Sequence, residues 1–345
     1  MRVLLYEFAC GGGTFSWGCA PGDCPTFLSE GSSMLRSLAR DFSQVPGIGL
    51  VTLRDSRLPA FDLPGCEIVS VCDAAGERDA LERHSRRADW TIVVAPESQG
   101  ALLDRCRWVE ASRGRLLGPS AEFVALASNK HATVEFLAAA GVPVPFGICL
   151  EAGVSLPRDF PYPAVVKPLD GAGSQGIRLV DSADSAATEM SSDGPRRLEQ
   201  YHAGVPASVA LLLGPSGAAM LEPCSQTLSA DRRFEYQGGR LPLPLSLANR
   251  ARRLAGQVAD ALPPLVGYLG IDMVLALEAE EPGIVVEINP RMTTSYLGLR
   301  ALCRNNLAQA MLDMAEGLPV ALSFGQEQVE FAPDRLLAGA GAAPR

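Results

Sequence analysis

The run Ile284-Val285-Val286-Glu287-Ile288-Asn289-Pro290-Arg291 constrains this chain more than any other. Successive side chains of a strand leave opposite faces, so the spacing predicts Ile284, Val286 and Ile288 in a core and Glu287, Asn289 and Arg291 together on the other face. That face carries a carboxylate, an amide oxygen and a cation. Carboxylate and carbonyl are hard oxygen donors suited to Mg²⁺, which leans on one or two carboxylates plus substrate phosphates. Arg291 suits phosphate oxygens.

The apolar run 270–277 reads as the preceding strand, with 278–283 as the turn. A hairpin symmetric about that turn sets Asp272 opposite Asn289 and within diagonal reach of Glu287. Two like charges roughly 4 Å apart at an effective dielectric of about 20 cost on the order of 4 kcal/mol, a large fraction of a total stability of about 5–15 kcal/mol. A divalent cation would resolve the conflict. The same pattern equally fits a half-exposed hairpin with a polar face.

The other elements bear on that choice. With 345 residues and 47% hydrophobic content the chain can build two or three layers with sizeable cores. A net charge of -9 offers no basic stripe for nucleic acid or an anionic membrane. Nine scattered cysteines without a CxxC pair, a start without a signal-peptide pattern and no run long enough to span a bilayer predict a reduced, cytoplasmic protein. Strand runs at Val3–Phe8, Gly49–Leu53, Glu67–Val71, Trp90–Ala95 and Arg115–Leu117 alternate with helical patterns, the sign of an open α/β layer with parallel strands. Gly11-Gly12-Gly13 lacks GxGxxG spacing and reads as a flexible substrate loop. Glu7 closes the first strand, where crevice ligands bind in open sheets; it is either an anchor for a substrate amine or an exposed strand-end acid.

Ser128 or Asn129 caps a helix that ends at Gly141, and Lys130 in its first turn opposes the helix dipole unless an anion lies nearby. Val165-Val166-Lys167-Pro168 and Ile177–Val180 flank a loop containing Gly171, Gly173, Ser174 and Gly176, whose backbone N–H groups can approach phosphate oxygens. Glu199-Gln200-Tyr201 ends a further strand, Gly214–Gly217 is a hairpin turn, and Leu247, Ala251, Leu254, Val258 and Leu262 keep helical spacing. Residues 331–345 read as a disordered tail.

In this order, the helix-start lysine, VVKP with its glycine loop, the Glu-Gln-Tyr hinge, Gly270-Ile271-Asp272 and Glu287-Ile288-Asn289-Pro290-Arg291 resemble an ATP-grasp carboxylate-amine ligase. The resemblance implies an α/β and α+β fold: an N-terminal open α/β pre-ATP-grasp domain at 1–125, a lid subdomain at 126–203 and a metal-binding subdomain at 204–330, clasping ATP. It implies that Lys130 and Lys167 contact ATP phosphates, that the loop with Gly171, Gly173, Ser174 and Gly176 closes over them, and that Glu199, Gln200 and Tyr201 border adenine, Glu199 and Tyr201 through backbone groups. Asp272, Glu287 and Asn289 would hold Mg²⁺ or Mn²⁺, and Arg291 with Lys167 would stabilise the transferring phosphoryl group. Pro206 stands where many members carry an acid toward ribose.

Within that superfamily, Tyr6-Glu7-Phe8 with its glycines, 204–209, 234–239 and the extension through Met292-Thr293-Thr294-Ser295-Tyr296 resemble the tyramine-glutamate ligase type of methanofuran or methylofuran biosynthesis in one-carbon metabolism. The resemblance then implies glutamate and tyramine as substrates, an acyl phosphate intermediate, and Arg232 or Arg233 for the glutamate α-carboxylate. Ser295 and Tyr296 join Glu7 as substrate candidates. Three readings stand side by side: this ligation, a D-alanine-D-alanine-like or other amino-acid ligase, and an ATP-binding regulator without turnover. Monomer and homo-oligomer are both open.

Overall fold

The computed structural model describes residues 1–171, 174–184, 194–278 and 283–338. The chain begins with a parallel sheet of β1 (Arg2–Glu7), β2 (Gly49–Asp55), β3 (Cys66–Val71) and β4 (Trp90–Val94), ordered β3-β2-β1-β4. Helices α1 (Pro25–Ser43), α2 (Ala74–Ser85) and α3 (Ala101–Ala111) connect and cover it. β1 and β4 are apolar along nearly their whole length because a parallel sheet is buried on both faces. The expected strand at 115–117 is reduced to one bridge, Leu116 to Thr91. The glycine run is a packed turn rather than a flexible loop. Gly12 lies at φ +98°, and a Cβ on Gly13 would sit 2.2 Å from the Phe8 ring.

After α4 (Ala121–Ala127) and α5 (Lys130–Ala139) come β5 (Gly147–Leu150), β6 (Ala164–Pro168), β7 (Arg178–Val180) and β8 (Arg196–Gln200), an antiparallel sheet ordered β5-β8-β6-β7. The third sheet is the largest. It contains β9 (Val205–Gly214), β10 (Gly217–Met220), β11 (Cys224–Leu228), β12 (Tyr236–Leu241), β13 (Gly267–Leu275), β14 (Ile284–Asn289), β15 (Val329–Ala332) and β16 (Arg335–Ala338). Along it the order is β14-β13-β9-β11-β12-β15-β16, with β10 paired to β9. The turn at 214–217 forms as expected. Helix α6 (Leu245–Ala261) packs Ala251, Leu254 and Val258 beneath β9 and β13, while α7 (Tyr296–Leu302) and α8 (Leu307–Ala315) lie toward the first sheet.

Two further expectations fail. Residues 331–338 are not a loose tail: they complete the β15–β16 hairpin, and Phe331 is buried in a core shared with Leu38 and Phe42 of α1. Residues 339–345 lie outside the described residues. Tyr296 is not a substrate group. Its hydroxyl donates to Asp41 Oδ2 at 2.7 Å, and Arg300 donates to the same carboxylate, so it is a core residue that ties the last sheet's helices to α1.

Candidate active site

A pocket lies where the second and third sheets face each other, with α1 at one side. β13 and β14 supply its floor, and their pairing differs from the symmetric hairpin. Asp272 stands opposite Glu287, and Asn289 stands opposite Gly270. A bulge between Asp272 and Met273 pairs Met273 with Val285 and leaves Val286 extra. A bulged residue breaks the two-residue alternation. Val285 therefore enters the core with Ile288, while Ile284 and Val286 line the pocket beside Glu287 and Asn289.

The bulge brings the two carboxylates face to face. Asp272 Oδ2 accepts from Asn289 Nδ2 and Oδ1 from Gln226 Nε2, each at 2.9 Å. Burial, and then the charge of Glu287, push the Asp272 carboxyl up to about 7. Burial alone would raise Glu287 too, but Lys130 and Lys167 more than offset it and its carboxyl lies below the usual range.

Lys130 reaches Glu287 Oε1 and the Gly171 carbonyl, both at 2.8 Å. Asn129 is the cap, accepting from the N–H groups of His131 and Ala132, so Lys130 is the first residue of α5 and its side chain leaves the helix at its positive end. Burial disfavours the Lys130 ammonium, yet Glu287 and the more distant acids hold its pKa above normal. Lys167, buried in β6, donates to Glu199 Oε1 at 2.6 Å and to the Val286 carbonyl at 3.4 Å. Arg197 holds the other oxygen of Glu199 at 2.9 Å, and its guanidinium also meets the Pro145 carbonyl.

Of the remaining sequence candidates, Gly171, Ser174, Gln200, Tyr201 and Ser295 line the pocket. Gly176, at φ +73°, packs on Pro168 instead. Gly173 falls outside the described residues. The N–H groups of Gln200 and Tyr201 are already donated to the Phe146 and Pro163 carbonyls, at 2.9 and 3.0 Å, so neither is free for a base. Glu199 contributes its side chain to the site through Lys167.

Three candidates lie elsewhere. Glu7 is buried, accepts from the Cys10 N–H at 2.8 Å and sits against Gly31 of α1, so it seats a helix and does not enter the pocket. Arg232 pairs with Asp181 at 2.6 Å on the surface, and Arg233 lies near Asp231, also exposed. The polar stretch 229–235 folds as a tight turn in which Ser229 Oγ and Asp231 take up the backbone N–H groups of Glu235 and Arg233.

Four residues in or directly behind the pocket wall escaped the sequence reading. Glu97 grips Arg291 with two hydrogen bonds of 2.9 Å. It lies just past the end of β4, where the ligand rule for open sheets could have flagged it. Gln226 is on β11, a strand without a clear alternation signal, and Arg197 looks like a surface charge beside Arg196. Glu30 lies on α1 and gave no signal, since a single acid on an amphipathic helix is ordinary.

An open α/β domain followed by two antiparallel lobes, with lysines from one lobe meeting carboxylates from the other, defines an ATP-grasp enzyme. Residues 127–295 match the ATP-grasp domain family and residues 48–124 the pre-ATP-grasp 3 domain. The chain belongs to the ATP-grasp family and is a ligase of that class. Its relatives include the tyramine–L-glutamate ligases of Methanocaldococcus jannaschii, 24% identical over 302 residues that span 86% of this chain and 84% of the relative, and of Methanocaldococcus fervens, 22% identical over 332 residues spanning 95% and 98%. Among solved structures, an ATP-grasp superfamily protein from Archaeoglobus fulgidus shares the fold with a TM-score of 0.70 at 21% identity, covering 96% of this chain and 92% of the other.

Proposed function

We propose that this enzyme joins a carboxylate to a primary amine through an acyl phosphate, releasing ADP and phosphate, with the glutamate side chain as acid and tyramine as amine. The convergence of Lys130, Lys167, Asp272, Glu287, Asn289 and Arg291 on one pocket, from four separate segments, carries this reading. The kinship with the two tyramine–L-glutamate ligases supports the choice of substrates, and the sequence resemblance described above extends the reading to the making of methanofuran-like cofactors.

In the first step a carboxylate oxygen attacks the γ-phosphorus of ATP and ADP leaves. In the second, the amine nitrogen attacks the acyl carbon and phosphate leaves with the electron pair of the C–O bond. The phosphoryl step needs positioning and charge stabilisation more than covalent help. Lys130 and Lys167 are buried cations aimed at the pocket, and both must exchange a carboxylate partner for phosphate oxygens when nucleotide arrives. Glu97 fixes Arg291 so that its guanidinium offsets the charge on the moving phosphoryl group. Gly171 and Ser174 on the glycine loop cover the phosphates and keep water from the acyl phosphate, while Gln200 and Tyr201 border the base.

The donor set fits Mg²⁺ or Mn²⁺. Asp272 and Glu287 are two carboxylates facing each other with an amide beside them, and burial, then the charge of Glu287, pushes Asp272 up to about 7. Mg²⁺ takes many of its ligands from phosphates and water, so one or two carboxylates and an amide oxygen are a sufficient protein share. When bound, the ion would neutralise the triphosphate and the two carboxylates together.

Product analysis tests the chemistry. Glutamate labelled with ¹⁸O in its side-chain carboxylate should yield ADP and singly labelled phosphate; AMP and pyrophosphate would refute an acyl phosphate.

A further inference from the structure

Glu30 is a pocket carboxylate with no hydrogen bond or ion pair among the described residues. The pocket's other acids are engaged: Glu199 by Lys167 and Arg197, Glu287 by Lys130, Asp272 by two amides. The nearest cation it feels is Arg291, whose guanidinium is committed to Glu97. Burial raises the Glu30 carboxyl, the mark of an acid short of a partner.

The helix is held so that this residue faces inward. Asp334, in the β15–β16 turn, accepts from Ser29 Oγ at 2.9 Å, and its carbonyl accepts from Ser33 Oγ at 2.6 Å, bracketing Glu30 on both sides. Gly31 seats the opposite face of α1 on Glu7, since a Cβ there would lie 2.2 Å from Glu7 Oε1. The same pocket is lined by the hydroxyls of Tyr236, Thr294, Thr293 and Ser295, the last two hydrogen-bonded to each other at 2.8 Å. A cationic donor with several N–H groups matches an unpaired carboxylate in a pocket that also presents hydroxyl acceptors.

We propose that Glu30 is the ammonium-binding group of this pocket, taking the primary ammonium of a substrate, either the attacking amine or the amino group of the acid being activated. The inference rests on the ligase reading above and adds the residue that recognises the nitrogen. If the amine is the one bound, Glu30 also takes the first ammonium proton before attack; the second leaves with phosphate as the amide forms.

Hydroxylamine separates the two sources, because it is mostly uncharged near neutral pH and traps an acyl phosphate as a hydroxamate without needing an ammonium site. With ATP and L-glutamate, Glu30→Gln should keep hydroxamate formation with an unchanged KM for ATP. If the amine is the ligand, the KM for tyramine rises at least about tenfold, on the scale of losing one charge-assisted hydrogen bond, and glutamate is unaffected. If the acid's own amino group is the ligand, the KM for glutamate rises by a similar factor in the hydroxylamine assay. Glu30→Asp should recover part of the loss, which a merely misfolded variant would not show. Unchanged KM values for both substrates, or a change in ATP alone, overturns the proposal while the ligase reading stands. A wild-type enzyme that forms neither hydroxamate nor amide overturns the ligase reading and this inference with it.

Discussion

Glu97 and Arg291, 194 residues apart, meet through two parallel hydrogen bonds of 2.9 Å, with Glu97 almost completely buried and Arg291 largely so. The pair joins the end of the first sheet to the turn that follows β14. Breaking such a pair leaves a desolvated charge and costs about 3–5 kcal/mol. Glu97→Gln should therefore lower the melting temperature and reduce turnover at least about tenfold, read by thermal melting and ADP release. Arg291→Lys should not restore turnover, because an ammonium cannot make the paired contact; full activity in either variant would remove Arg291 from phosphoryl transfer.

Glu287→Gln removes the negative charge that faces Asp272 and holds Lys130. Turnover at saturating Mg²⁺ should drop roughly 100-fold, the scale of losing one main electrostatic contact. Unchanged turnover would take Glu287 out of the site.

Glu7 gives a pH dependence with a definite sign. Burial raises its carboxyl from 4.5 to about 7 in the folded protein. The folded state keeps the proton that the unfolded chain has already lost, so the stabilisation is complete below about pH 4.5 and disappears as pH rises through about 7. The loss amounts to about 3 kcal/mol. Melting temperatures of the nucleotide-free protein should fall between pH 5 and pH 8, and Glu7→Gln should flatten part of that slope. Asp272 contributes in the same direction and keeps the remainder. A Glu7→Gln slope equal to wild type contradicts the assignment.

Arg232 and Arg233 are exposed and outside the pocket. Alanine at either should leave the melting temperature and the KM for glutamate essentially unaltered. A strong rise in that KM would return these residues to substrate binding.

Tyr296→Phe should destabilise the protein by about 1–3 kcal/mol, because the buried Asp41 carboxylate loses a hydrogen bond. Below the melting transition, turnover and all substrate KM values should stay as in wild type. Altered KM values there would place Tyr296 in substrate recognition.

The sequence by itself determined the kinds and order of the parts. Strand periodicity located β1 to β4 and the 284–291 run; Asn129 and Gly141 bounded α5; and the order of lysine, glycine loop, hinge and acidic strand pointed to the fold. These are local signals, carried by side-chain spacing and capping chemistry within a dozen residues. Tertiary structure decided what depends on registers and distant partners. A one-residue bulge set Asp272 against Glu287 and turned Val286 into the pocket. The burial of Glu7 and Tyr296 behind α1, and the pairing of Arg232 with Asp181, drew three expected substrate groups away from the site. Glu30 entered it from the first domain and Glu97 came to stand behind it on Arg291, because a carboxylate's role is fixed by the cation that long-range packing brings to it or withholds from it.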